Sequence, residues 1–153
     1  MRIGEICTRE VVHCERDDSV ALVAQLMRDH HVGDVIVVER KEGKRIPVGI
    51  VTDRDLVVEV LAQGISPDGL AAKDLMSGEL VAAKEDETVY DAVWRMRNKG
   101  IRRLPVVGAD QSLVGVLSAD DVTEFLAEEL TGVARIVPRQ LKQEGAARRP
   151  LQR

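Results

Sequence analysis

A chain of 153 residues, 44% apolar and 31% charged, is long enough for one compact unit and apolar enough to fill its core. It has no apolar run near the ~18 residues of a membrane span, and Met1-Arg2-Ile3-Gly4-Glu5 lacks a signal-peptide core, so a cytoplasmic location is expected. The net charge of −4 is uneven: residues 133–153 hold six Lys or Arg against one Glu, which leaves −9 for the rest.

In chain order, the first recognisable piece is short and extended, from Val11 to His13. Asp17-Asp18-Ser19 then caps a helix on which Val20, Val23, Ala24 and Met27 share one face. A strand from Val35 to Val38, a turn at Glu42-Gly43-Lys44 and a strand from Val48 to Val51 follow, and a helix starts near Asp53. Gln63 to Gly69 has the composition of a linker. The order then returns. Val81 to Ala83 is extended, and Glu87-Thr88 caps a helix with Val89, Ala92, Val93 and Met96 on one face. Strands Leu104 to Val107 and Leu113 to Leu117 flank a turn at Gly108-Ala109-Asp110, and a helix starts at Ala119.

Ser19 to Val38 matches Thr88 to Val107 at an offset of 69, and beyond the turn the offset becomes 66. Such length differences belong in surface turns. The expected fold is α/β (α+β): two β-α-β-β-α repeats, residues 1–63 and 73–131, joined by a linker at 64–72. Each repeat of about 60 residues leaves one apolar sheet face open, and packing two about a pseudo-twofold axis covers both. Residues 132–153 are expected to form a basic, flexible tail.

The chemistry lies where the last strand of each repeat meets its helix. Gly49-Ile50-Val51-Thr52-Asp53-Arg54-Asp55-Leu56 recurs as Gly115-Val116-Leu117-Ser118-Ala119-Asp120-Asp121-Val122. Thr52 and Ser118 stand at helix starts, where free N–H groups and the positive dipole end favour an anion. Asp55 and Asp121 follow in the first turn, where a carboxylate suits the dipole and can accept bonds from vicinal hydroxyls such as those of a ribose. Plain helix capping is the alternative for either copy alone; the duplication favours a site.

These two segments, with Gly100-Ile101-Arg102-Arg103-Leu104-Pro105-Val106-Val107, resemble a tandem pair of cystathionine β-synthase (CBS) domains, the Bateman module, over residues 3–130. The resemblance implies a non-catalytic, energy-sensing regulatory module that binds adenosyl ligands (AMP, ADP, ATP or S-adenosylmethionine) in two clefts between the repeats. It implies no cofactor, but a homodimer and a protein effector that reads the bound state. Carried onto this sequence, cleft 1 is formed by Ile50, Thr52 and Asp55 with Val81, Arg102 and Arg103 opposite. Cleft 2 is formed by Val116, Ser118 and Asp121 with Val12 opposite. The repeat counterparts of Arg102 and Arg103 are Gly33 and Asp34, and that of Pro105 is Ile36. Cleft 2 therefore lacks the arginine pair and presents a carboxylate, with Arg54 leaning in as partial compensation. At ~4 Å and an effective dielectric near ~20, like unit charges repel by on the order of 4 kcal/mol. Cleft 2 is accordingly expected to be the weaker.

Other residues read as structural. Cys7 and Cys14, candidate metal ligands with His13 or His30, have Met76 and Ala83 as repeat counterparts and so read as small buried thiols. His30 and His31 end a helix, where a cation suits the dipole. Tyr90 and Trp94, with Leu22 and Leu26 in the other repeat, form apolar stripes beside the core faces, placed either at its edge or on a dimer surface. Two other function classes have some support in the sequence. Asp53, Asp55, Asp120 and Asp121 suggest a metal- or carboxylate-dependent enzyme, but no nucleophile, histidine base or metal-ligand spacing accompanies them. The basic tail suggests nucleic-acid or partner binding, but it has no aromatic residue to stack on bases.

Overall fold

The computed structural model describes residues 1–76 and 78–147. Its elements are α1 (Ile3–Ile6), β1 (His13–Glu15), α2 (Val20–His30), β2 (Asp34–Lys41), β3 (Lys44–Thr52), α3 (Asp53–Asp55) leading into a π-helical turn (Leu56–Leu61), α4 (Ala72–Leu75), β4 (Ala83–Lys84), α5 (Val89–Lys99), β5 (Arg103–Val107), β6 (Leu113–Ser118), α6 (Ala119–Ala134) and α7 (Ile136–Ala147). Two three-stranded sheets result, ordered β1-β2-β3 and β4-β5-β6. In each, the first pair is parallel and the second antiparallel. The duplication extends to irregularity, since the register shifts between Val37 and Val38 and again between Val106 and Val107.

The alternation of side chains along a strand explains the layers. Val35 and Val37 on β2 face the helix side with Val23, Met27 and Val51. Leu104 and Val106 do the same with Ala92, Met96 and Leu117. The opposite face of β2, Ile36 and Val38, meets Leu113 and Val116 of the other repeat. Ser19 caps α2, its Oγ accepting from the Leu22 amide at 3.1 Å, and Thr88 caps α5 likewise through Asp91. The helix faces are narrower than expected, since Ala24 and Val93 are exposed.

Two short helices were not anticipated, and they cross between the repeats. The N-terminal α1 packs on the second repeat: Ile3 N–H donates to Glu87 O at 2.9 Å, and Thr8 and Val116 exchange two bonds of 2.9 Å. The linker helix α4 packs on the first: Ala72 N–H donates to Asp18 O at 2.8 Å, and Ala72 and Leu75 join its core. Each crossing presses on the glycine that opens the duplicated motif. A Cβ at Gly49 would stand 2.1 Å from Met76 Sδ, and one at Gly115 2.7 Å from Cys7 Sγ and 3.0 Å from Thr8 O. Cys7 and Cys14 are free and buried, as expected, and burial pushes the Cys14 thiol up to about 11.

The segment expected to be a flexible tail is helical as far as Ala147, in α7, with Arg148, Arg149 and Arg153 outside the described residues. Pro138 falls in the first turn of α7, where its missing N–H costs least. Among the described residues no helix is long and apolar enough to cross a membrane.

Candidate ligand-binding clefts

Both duplicated motifs form reciprocal caps. Thr52 Oγ1 accepts from the Asp55 amide at 3.2 Å and donates to Asp55 Oδ2 at 2.8 Å, and that oxygen also accepts from the Thr52 amide at 2.7 Å. Ser118 and Asp121 repeat the arrangement at 3.1, 2.6 and 2.7 Å. Capping is therefore real, but it uses only one carboxylate oxygen. Oδ1 of Asp55 and of Asp121 takes no hydrogen bond from the described residues. Thr88 and Asp91 form the same cap at the start of α5, yet neither lines a cleft between the repeats. Position, not the cap itself, separates the two motifs from this third copy.

Cleft 1, about 410 Å³, brings together all six residues expected there: Ile50, Thr52 and Asp55 from the first repeat, and Val81, Arg102 and Arg103 from the second. Its size falls within the ~300–1,000 Å³ usual for small-molecule sites. Arg54, expected beside cleft 2, lines cleft 1 instead. The reason is local: Arg54 is the second residue of α3, so it stays with the strand end that carries Thr52. Its repeat counterpart, Asp120, lines cleft 2 in the same way.

Cleft 2, about 250 Å³, brings together Val12, Val116, Ser118 and Asp121. The arginine deficit expected there has a more specific form than a bare carboxylate facing a ligand. Asp34 is largely buried and pairs with Arg103, Oδ1 to Nε at 2.5 Å. Arg103 thus lines both clefts. Burial raises the Asp34 carboxyl above its ordinary range; Arg103 opposes this, and Asp53 and Asp121 add to it. Arg102 makes only a long, exposed pair with Asp120 at 3.5 Å, which holds it weakly.

The linings differ sharply in charge. Cleft 1 has Arg54, Arg102 and Arg103 against Asp53, Asp55 and Glu79. Cleft 2 has Arg103, already paired, and His31 against Glu10, Asp34, Asp120 and Asp121. In the sequence His31 is marked only as a helix end. It is the left-handed cap of α2, φ 54°, and its counterpart Gly100, φ 65°, caps α5 and lines cleft 1. The repeat offset could have revealed this pairing. Among the described residues no group of three or more His, Cys, Asp or Glu is arranged to hold a metal ion.

Comparison with known proteins agrees with the duplicated fold. A protein of Methanopyrus kandleri is 38% identical over 80% of this chain, which spans 61% of that protein's length. The CBS domain-containing protein YhcV of Bacillus subtilis is 33% identical over 78% of the chain and 81% of its own length. Among solved structures, a CBS domain protein from Pyrobaculum aerophilum complexed with AMP is 29% identical, with a TM-score of 0.71 over 79% of this chain and 89% of its own. A hexameric CBS-CP12 protein from bloom-forming cyanobacteria is 26% identical, with a TM-score of 0.72 over 98% of this chain and 87% of its own. The CBS domain family model matches residues 3–62 and again 72–128, and the chain accordingly belongs to the CBS domain family as a tandem pair of its domains.

Proposed function

We propose that this chain is a regulatory module that binds a phosphorylated adenosine ligand, such as AMP, in cleft 1, and that cleft 2 binds such a ligand weakly or not at all. The observation that carries the reading is the uneven supply of guanidinium groups to two otherwise equivalent clefts. In cleft 1, Asp55 Oδ1 is the acceptor for the ribose hydroxyls, Val81 and Ile50 line the base, and Arg54, Arg102 and Arg103 face the phosphate. The AMP-bound Pyrobaculum relative supports the ligand class. Ligand bridging the repeats favours one relative orientation, and a protein partner reads that orientation; the ligand must prefer one arrangement for this to work. The similarity to a hexameric CBS-CP12 protein supports self-association, and the exposed Tyr90 and Trp94 on α5 and Leu22 on α2 are candidate homodimer contacts.

Calorimetry with AMP tests the assignment. Asp55→Ala is expected to weaken binding about 10- to 100-fold, the loss of one charged hydrogen bond at ~1.5–3 kcal/mol. Asp121→Ala is expected to leave it within a few-fold. Asp91→Ala removes an equivalent cap away from the clefts and separates lost stability from lost binding. The reverse ranking of Asp55 and Asp121 would overturn the reading.

A further inference from the structure

From Leu126 to Ala146 every residue is exposed. Within that stretch Leu126, Leu130, Val133, Val137 and Leu141 are between 51% and 70% exposed. Their spacings of four, three, four and four residues put them on one stripe, the pattern of a helix seam. The stripe crosses from α6 to α7 through one non-helical residue, Arg135, whose N–H donates to Thr131 O and whose O accepts from Arg139 N–H, each at 3.3 Å; Pro138, with no N–H, leaves Ala134 O without its helical donor. In proteins most helical stability comes from packing such an apolar face. Nothing among the described residues of this chain covers this one.

We infer that α6 and α7 form an antiparallel interface with the same helices of a second copy of this chain. Three features select that occupant. First, the stripe is nearly palindromic about Val133: Leu130 and Val137 lie three and four residues away, Leu126 and Leu141 seven and eight. A twofold axis at Val133 therefore sets Leu126 against Leu141 of the other copy, the self-complementarity a symmetric dimer requires. Second, α6 carries Asp120, Asp121, Glu124, Glu128 and Glu129 and no basic residue, whereas Arg135, Arg139 and Lys142 outweigh Glu144 in and before α7. Antiparallel pairing sets the acidic helix on the basic one, and parallel pairing stacks like on like. Third, the five stripe residues and Ile136 expose roughly 100 Å² of apolar surface each, so two copies bury on the order of 1,200 Å², the lower bound for a stable interface. The stripe lies on α6 and α7, whereas Trp94 lies on α5.

Site-specific crosslinking in the full chain tests the register. Val133→Cys is expected to form a disulfide-linked dimer on mild oxidation, with Cys7 and Cys14 buried and silent. Leu126→Cys and Leu141→Cys are expected to crosslink when mixed and not when alone. In sedimentation velocity, the double variant Leu130→Glu, Val137→Glu is expected to weaken this association at least 10-fold. Both substituted sites are exposed, so the double variant is expected to keep the native circular dichroism spectrum, and Trp94→Glu, on α5, should leave the Val133 crosslink intact. A chain monomeric at every concentration, efficient self-crosslinking of Leu126→Cys, or association unaffected by the double variant would each overturn the inference.

Discussion

At the scale of single residues, Arg103 is the group on which the two clefts compete. Its pairing with Asp34 holds it away from an anion in cleft 1, so Asp34→Asn is expected to tighten AMP binding by ~3- to 10-fold. Arg103→Ala is expected to weaken it by about 10- to 100-fold, read by calorimetry. If both variants bind alike, the guanidinium takes no part. Asp34 also has a pH signature. Its folded pKa is raised, so it contributes stability that is full below its unfolded value near ~3.9 and is lost as pH rises through the folded value. Asp34→Asn removes that loss. In urea unfolding, the stability of the variant relative to the native chain is expected to climb from pH ~4 upward and then level off. Asp17, Glu39 and Asp110, held low by Lys73, Arg16 and by Ser112 with Lys44 respectively, act with the opposite sign but are common to both proteins and cancel. A difference that is flat in pH, or that shrinks as pH rises, would show that Asp34 is not raised in the folded state.

At the scale of elements, the glycine that opens each duplicated motif is set by packing against a crossing segment, not by a turn. The two copies are not equally tight. The neighbour of Gly49 is the thioether of Met76, which can swing aside, although its Cβ also lies 3.3 Å from the added carbon. The neighbours of Gly115 are a short thiol and the backbone oxygen of Thr8, which is itself bonded to Val116. Gly115→Ala is therefore expected to destabilise by about 1–3 kcal/mol and Gly49→Ala by less, measured by denaturant unfolding. Equal costs, or the reverse order, would mean that the crossing arm yields as easily as the methionine. Such crossings are invisible to periodicity: Ile3 to Ile6 and Ala72 to Leu75 are too short to show a helical face. The caps and the alternating strands were legible because each is a local rule of a few residues. The pairing of Arg103 with Asp34 was not, because it depends on how two repeats meet.

At the scale of the whole molecule, the repeat gave the architecture directly, since two sheets with one open apolar face each have few ways to close. It also suggested a boundary that the core does not respect. Ile3 is fully buried among Ala92, Leu104 and Leu117, residues of the other repeat, while Ala72 and Leu75 complete the core of the first. Each half is thus sealed by chain that sequence order assigns elsewhere, and Lys44 with Asp110 ties the two hairpin turns at 3.0 Å. The repeats are expected to unfold in one transition. Ile3→Ala tests this, because it should cost about 2–5 kcal/mol through the cavity it leaves. Trp94 fluorescence reports α5 of the second repeat, and far-ultraviolet circular dichroism reports both. If the N-terminal arm belongs energetically to the second repeat and the halves are coupled, both probes shift to the same lower midpoint. If residues 1–63 were an independent unit, circular dichroism would show an early partial transition while the Trp94 curve stayed where it is in the native chain.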